Sequence, residues 1–93
     1  MKPIHPGRIL RREMASRDLS ANALALALRT PSGRITDILN GKRGVSPETA
    51  MRLARYFGNS ARFWLNLQTN YELATAEAEL GERIAAEVAP AVN

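Results

Sequence analysis

Apolar residues recur along the chain at intervals of three and four, and the runs are interrupted at Ser, Pro and Gly, the punctuation of short helices. Ile9, Leu10 and Met14 form the stripe of a first helix over residues 6–16, with Arg8, Arg11 and Arg12 on its wet side. His5 stands at its cap and Pro6 suits the first helical position. A second helix starts at Ser20, a good N-cap, with Leu19 and Leu24 at hydrophobic-staple spacing. Leu24, Ala25 and Leu28 are its inner face, and it ends near Leu28. Thr30 is expected to cap a third helix that opens on Pro31, turns Ile35, Ile38 and Leu39 inward and stops at Gly41. The fourth opens with Ser46, Pro47 and Glu48, repeats the staple with Val45 and Ala50, lines its face with Ala50, Leu53, Ala54 and Phe57, and ends at Gly58. The fifth spans residues 60–80, with Trp64, Leu67 and Tyr71 on one stripe and Phe63 beside it. Phe63 and Trp64 are expected to close the core. Gly81 interrupts the pattern, residues 82–88 have the pattern of a further turn or two, and residues 90–93 read as a frayed tail. The expected division is a helical domain over residues 1–80 and a short acidic tail over residues 81–93, with no internal repeat.

Composition narrows this picture. A chain of 93 residues forms one domain with a modest core, for which dimerisation is a common supplement. Aromatics are only 5% while Ala and Leu dominate, which favours an all-α fold. There is no cysteine, hence no disulfide and no thiolate zinc site. One histidine and no nucleophile–base pair or metal-ligand spacing argue against an enzyme, and no cofactor is expected. No apolar run approaches the ~18 residues of a membrane span. The N-terminus lacks the apolar stretch of a secretory signal, so a cytoplasmic protein with no membrane partner is expected.

Charge is more informative by position than in total. Residues 1–62 hold 12 Lys/Arg against 4 Asp/Glu, net +8, while residues 63–93 hold only Arg83 against Glu72, Glu77, Glu79, Glu82 and Glu87, net −4. A basic head suggests a polyanion partner, most simply nucleic acid; the alternative is a solvated basic surface.

The second and third helices are separated only by Arg29 and Thr30, the spacing of a helix-turn-helix, in which the second helix fixes the angle of a third whose outer face is free for a DNA major groove. On a 100° wheel with Ile35, Ile38 and Leu39 inward, Gly33, Asp37 and Asn40 face outward, Arg34 and Thr36 flank them, and Ser32 lies at the N-terminal tip. The expected base contacts are Ser32, Gly33, Arg34, Thr36 and Asp37. Arg pairs bidentately with guanine, a Thr methyl meets a thymine methyl, and Asp accepts from cytosine. Gly33 reads as a gap through which the backbone approaches the base edges. Lys42 and Arg43 are expected to hold phosphates, together with Asn40 and the amides near Ala21. Against these stand plainer readings: Arg34 as a surface cation, Asp37 paired with Arg34, and Lys42 and Arg43 as a solvated turn.

Taken together, "HPGRIL", "TPSGRITDILNGKRG" and "SPETAMRLARYFGNSARFWLNLQTNYEL" resemble the HigA family of antitoxins, Xre/Cro-type helix-turn-helix proteins, over roughly residues 3–75. The resemblance implies an all-α, five-helix, lambda-repressor-like helix-turn-helix domain with a longer C-terminal helix. It also implies a dimer that neutralises a HigB-type toxin of the RelE-like messenger-RNA endonuclease class and represses its own operon at an inverted-repeat operator of double-stranded DNA. The alternative is a stand-alone Xre/Cro-type repressor with no toxin partner. Three positions depart from the family pattern: Ala23 where Glu or Gln often closes a capping box, Arg29 in place of the turn glycine, and Gly33 within the reading helix.

The second half of the fifth helix is the expected dimer interface, through Leu67, Tyr71 and Leu73, which extend past what the head is expected to cover. A two-fold mate would set two reading helices about 34 Å apart, one DNA turn. The alternative is a helix folded back on its own head. The acidic tail is a solvated end, a repulsive guard against DNA, or a surface for a basic toxin.

Overall fold

The structure, a computed structural model, describes residues 3–92. It contains α1 (Pro6–Ala15), α2 (Ala21–Leu28), α3 (Ser32–Leu39), α4 (Pro47–Phe57) and α5 (Ala61–Glu87), and no strand among the described residues. Helices of eight to eleven residues are marginal alone in water, so each of the first four depends on its caps and on packing. The caps fall largely where the sequence places them. His5 Nδ1 accepts from the Gly7 amide at 2.9 Å, and the hydroxyls of Ser20, Ser46 and Ser60 accept from the amides of Ala23, Thr49 and Phe63.

The first four helices share a way of ending. Asp18, Arg29, Gly41 and Gly58 all have positive φ, the left-handed residue that turns the chain out of a helix. At Arg29 the bonds from Arg29 N to Leu26 O and from Thr30 N to Ala25 O make a complete Schellman motif. Thr30 is therefore still finishing α2. Its expected role as cap of α3 is not observed: Pro31 occupies that position in extended geometry, makes no side-chain cap bond, and α3 begins at Ser32. Two arginines complete the C-termini of neighbouring helices. Arg52, paired with Glu48 at 3.2 Å, donates to Leu28 O at the end of α2, and Arg11 donates to Leu39 O at the end of α3.

The core joins all five helices. Leu10, Leu24, Ile35, Ile38, Ala50, Leu53 and Trp64 are fully buried, with Met14, Ala25, Leu28, Val45 and Ala54 around them. Leu39 and Phe57 are half-buried at its edge. Trp64 is the anchor of α5: its ring is inaccessible and its Nε1 donates to Asn59 Oδ1 at 2.8 Å, so burying the indole leaves no polar group unsatisfied. Phe63 does not close the core with it. That ring stands edge-on to Trp64 but is 40% exposed. A glycine is required at position 7, where a Cβ would collide with the Ile38 carbonyl, so α1 lies directly on the end of α3.

α5 does not break at Gly81. It continues as one helix to Glu87, and an exposed Arg83–Glu87 ion pair spans its last turn. A helical glycine costs about 1 kcal/mol relative to Ala, and the flanking Ala, Glu and Leu offset that. The helix carries residues 81–87 that were expected to lie in the tail, and it gives the molecule its elongated outline of 53 × 24 × 22 Å.

Candidate nucleic-acid interface

α2 and α3 are held at a fixed angle by buried Leu24, Ala25 and Leu28 on one side and Ile35 and Ile38 on the other. The faces away from that contact are what α3 presents to a partner. Ser32, Gly33, Thr36 and Asn40 are exposed along the outside. Arg34 and Asp37 are half-buried beside them, which moves Asp37 from the centre of the wheel's outward face to its margin. Arg34 and Asp37 form no ion pair among the described residues, although they lie three apart. Thr36 donates its hydroxyl proton to the Ser32 carbonyl at 3.1 Å, which leaves its methyl group and its acceptor capacity. A Cβ at Gly33 would meet nothing within 4 Å, so the glycine is a notch in the surface, not a packing requirement.

The turn after α3 supplies cations. Gly41 takes the left-handed conformation, and the Asp37 carbonyl then accepts from the amides of both Lys42 and Arg43, at 2.8 and 3.2 Å. Both side chains project from this turn exposed, and neither has an acidic partner among the described residues. At the start of α2 the Ser20 hydroxyl caps Ala23, and the amides of Ala21 and Asn22 sit at the open end of the helix, as the first turn of any helix does. The geometry thus joins an exposed polar helix face, free cations on the adjoining loop and helix-end amides, the ingredients of base-edge and phosphate contact.

The residues expected to dimerise are divided. Leu67 is half-buried against the head's own core, and the Tyr71 ring stands edge-on to His5 with centroids 4.8 Å apart. Both are therefore engaged within the chain, because the head reaches further along α5 than its sequence suggests. Leu73 is 57% exposed, and Leu80, Ile84 and Val88 continue an uncovered apolar stripe beyond it. One contributor has no signature in the sequence: Gln68, whose Oε1 accepts from the Val45 amide at 2.8 Å across 23 residues.

Burial holds the His5 imidazole below its ordinary pKa, partly opposed by the polar backbone of Arg43. His5 is thereby neutral at pH 7, a state in which Nδ1 can accept from Gly7. Among the described residues no group of acids and histidines is arranged to hold a metal, and no helix is long and apolar enough to cross a membrane.

Comparison with known proteins agrees with this geometry. Residues 10–64 match the helix-turn-helix family. Virulence-associated protein I of Dichelobacter nodosus is 51% identical over 78 residues, 83% of this chain and 72% of that protein. An addiction module antidote protein of the HigA family from Coxiella burnetii superposes with a TM-score of 0.96 at 48% identity, over 98% of this chain and all of the other. The Pseudomonas aeruginosa antitoxin HigA, solved with the higBA promoter, superposes with a TM-score of 0.94 at 48% identity, again over 98% of this chain and all of the other. The chain belongs to the HigA family of helix-turn-helix antitoxins, a DNA-binding family and not an enzyme family.

Proposed function

We propose that this protein is the antitoxin of a type II toxin–antitoxin pair, acting in the cytoplasm as a homodimer that represses its own operon and neutralises a HigB-type messenger-RNA endonuclease by direct binding. The observation that carries the DNA half is the exposed polar face of α3 running directly into the unpaired cations Lys42 and Arg43. In this reading Ser32, Gly33, Arg34, Thr36 and Asp37 meet base edges, while Ala21, Asn40, Lys42 and Arg43 meet phosphates. Gly33 lets the helix backbone approach the bases. The dimer forms through the apolar stripe of α5 that begins at Leu73, with the margins of Leu67 and Tyr71 beside it, and places two α3 helices about one DNA turn apart. The solved HigA relative bound to a promoter supports the operator role, and the family supports the toxin role.

The test is anisotropy titration against a panel of inverted-repeat duplexes, together with co-purification with the product of the adjacent reading frame. Arg34→Ala should lose about 1–3 kcal/mol of discrimination at one position per half-site. Unchanged discrimination removes Arg34 from the reading set. Duplex binding without a co-purifying neighbour would favour a stand-alone repressor.

A further inference from the structure

The turn that carries Lys42 and Arg43 is held at both ends. Its first half hangs from α3 through the Asp37 carbonyl. Its second half is held by α5. Gln68 accepts from the Val45 amide at 2.8 Å, and a Cβ on Gly44 would stand 2.6 Å from the Gln68 side-chain amide, so only glycine there lets Gln68 lie flat on the loop. Three residues further along the same face of α5, Tyr71 backs the ring of His5, which caps α1 through the Gly7 amide. Neither contact touches the cationic side chains, so the loop's backbone is fixed while its charges stay free.

We infer that Gln68 is a positioning residue for DNA binding: it is a brace by which α5 holds the loop at Gly44 and Val45, and so sets the placement of Lys42 and Arg43 against phosphate. This rests on the operator-binding reading above. Without the Gln68 acceptor the Val45 amide loses its partner, and the loop keeps only its bonds to the Asp37 carbonyl and the burial of the Val45 side chain. The consequence for DNA is specific. Phosphate contacts carry no sequence information, so misplacing them weakens every duplex alike and lowers the number of ions released.

The test compares Gln68→Met, which keeps the shape and removes the acceptor, with Gln68→Glu, which keeps an acceptor oxygen, in the full chain. The Met variant is expected to bind operator and unrelated duplex about tenfold more weakly, with a salt slope shallower by about one ion, as Lys42→Ala does. The Glu variant should recover most of the affinity. Amide hydrogen exchange reads the brace without DNA: the Val45 amide should exchange at least tenfold faster in the Met variant, with protection in α1 and α4 unchanged. An unchanged Val45 exchange rate, an unchanged salt slope, or a Glu variant as weak as the Met variant overturns the inference. A native chain that binds no duplex overturns the operator-binding reading instead, and the exchange comparison still decides the brace.

Discussion

The head and the distal half of α5 are built from the same residue types but bound by different rules. In the head, twelve apolar residues from four helices, the turn before α4 and the start of α5 are buried together. Beyond Tyr71, α5 has no buried residue, and Leu73, Leu80, Ile84 and Val88 are exposed. The head is stabilised by long-range packing, whereas the distal half of α5 is stabilised by its own hydrogen-bond ladder, helix-forming residues and one exposed ion pair worth little. Removing a buried atom should therefore be felt throughout the molecule, and changing the distal helix should be felt locally or by a partner.

The largest effect should come from the junction. Trp64→Ala empties a fully buried site and orphans Asn59, at a cost of about 3–5 kcal/mol, a large share of the ~5–15 kcal/mol total of a typical domain. Urea unfolding should show a collapsed midpoint; a loss below about 1 kcal/mol would mean the head does not depend on α5. Next, Leu80→Glu combined with Ile84→Glu should leave the dilute chain as stable as before, within about 0.5 kcal/mol. It should abolish the proposed dimer in light scattering and the concentration dependence of Tm. A variant that still runs as a dimer relocates the interface to the head.

Two backbone substitutions of similar intrinsic size should separate the regions. Arg29→Gly relieves a left-handed non-glycine residue at φ 56° and should raise the urea midpoint by the equivalent of about 1 kcal/mol. Gly81→Ala gains about as much local helix propensity, near 1 kcal/mol. It should increase helical circular dichroism without moving the midpoint, because the distal turns fray separately. A midpoint shift from Gly81→Ala would make α5 one cooperative unit with the head. The smallest effect should come from His5. Its folded pKa is depressed by burial, so the unfolded chain takes up the proton first as pH falls. Its stabilising contribution is complete above about pH 6.5, and it is lost as pH falls through the lower folded value. His5→Asn, which keeps a cap acceptor, should flatten that part of the stability–pH curve.

The legible parts of this molecule are the local ones. Helix caps at His5, Ser20 and Ser46 and the inward positions of α2 and α4 follow from spacing alone. The start of α3 is shifted because Pro31 stays extended and its carbonyl accepts from the Arg34 amide at 3.1 Å, which makes Pro31 the cap. The continuity of α5 through Gly81 follows from a balance of small propensities that a single glycine does not decide. The outward face is mostly visible from the wheel, but the half-burial of Arg34 and Asp37 is not. The grip of Gln68 on Val45 spans 23 residues and carries no periodicity at all.

α5 is also a lever. Its fulcrum is Trp64, locked in the head. Gln68 lies one turn beyond, about 6 Å along the axis, and Ile84 lies about 30 Å along. For a rigid pivot on Trp64 the travel at Gln68 would be only about a fifth of that at Ile84. The packing of Leu67 and the Tyr71–His5 contact hold even that short arm on the head. The Val45 bond thus sits on the held arm of the helix, and the exposed apolar positions sit on the long one.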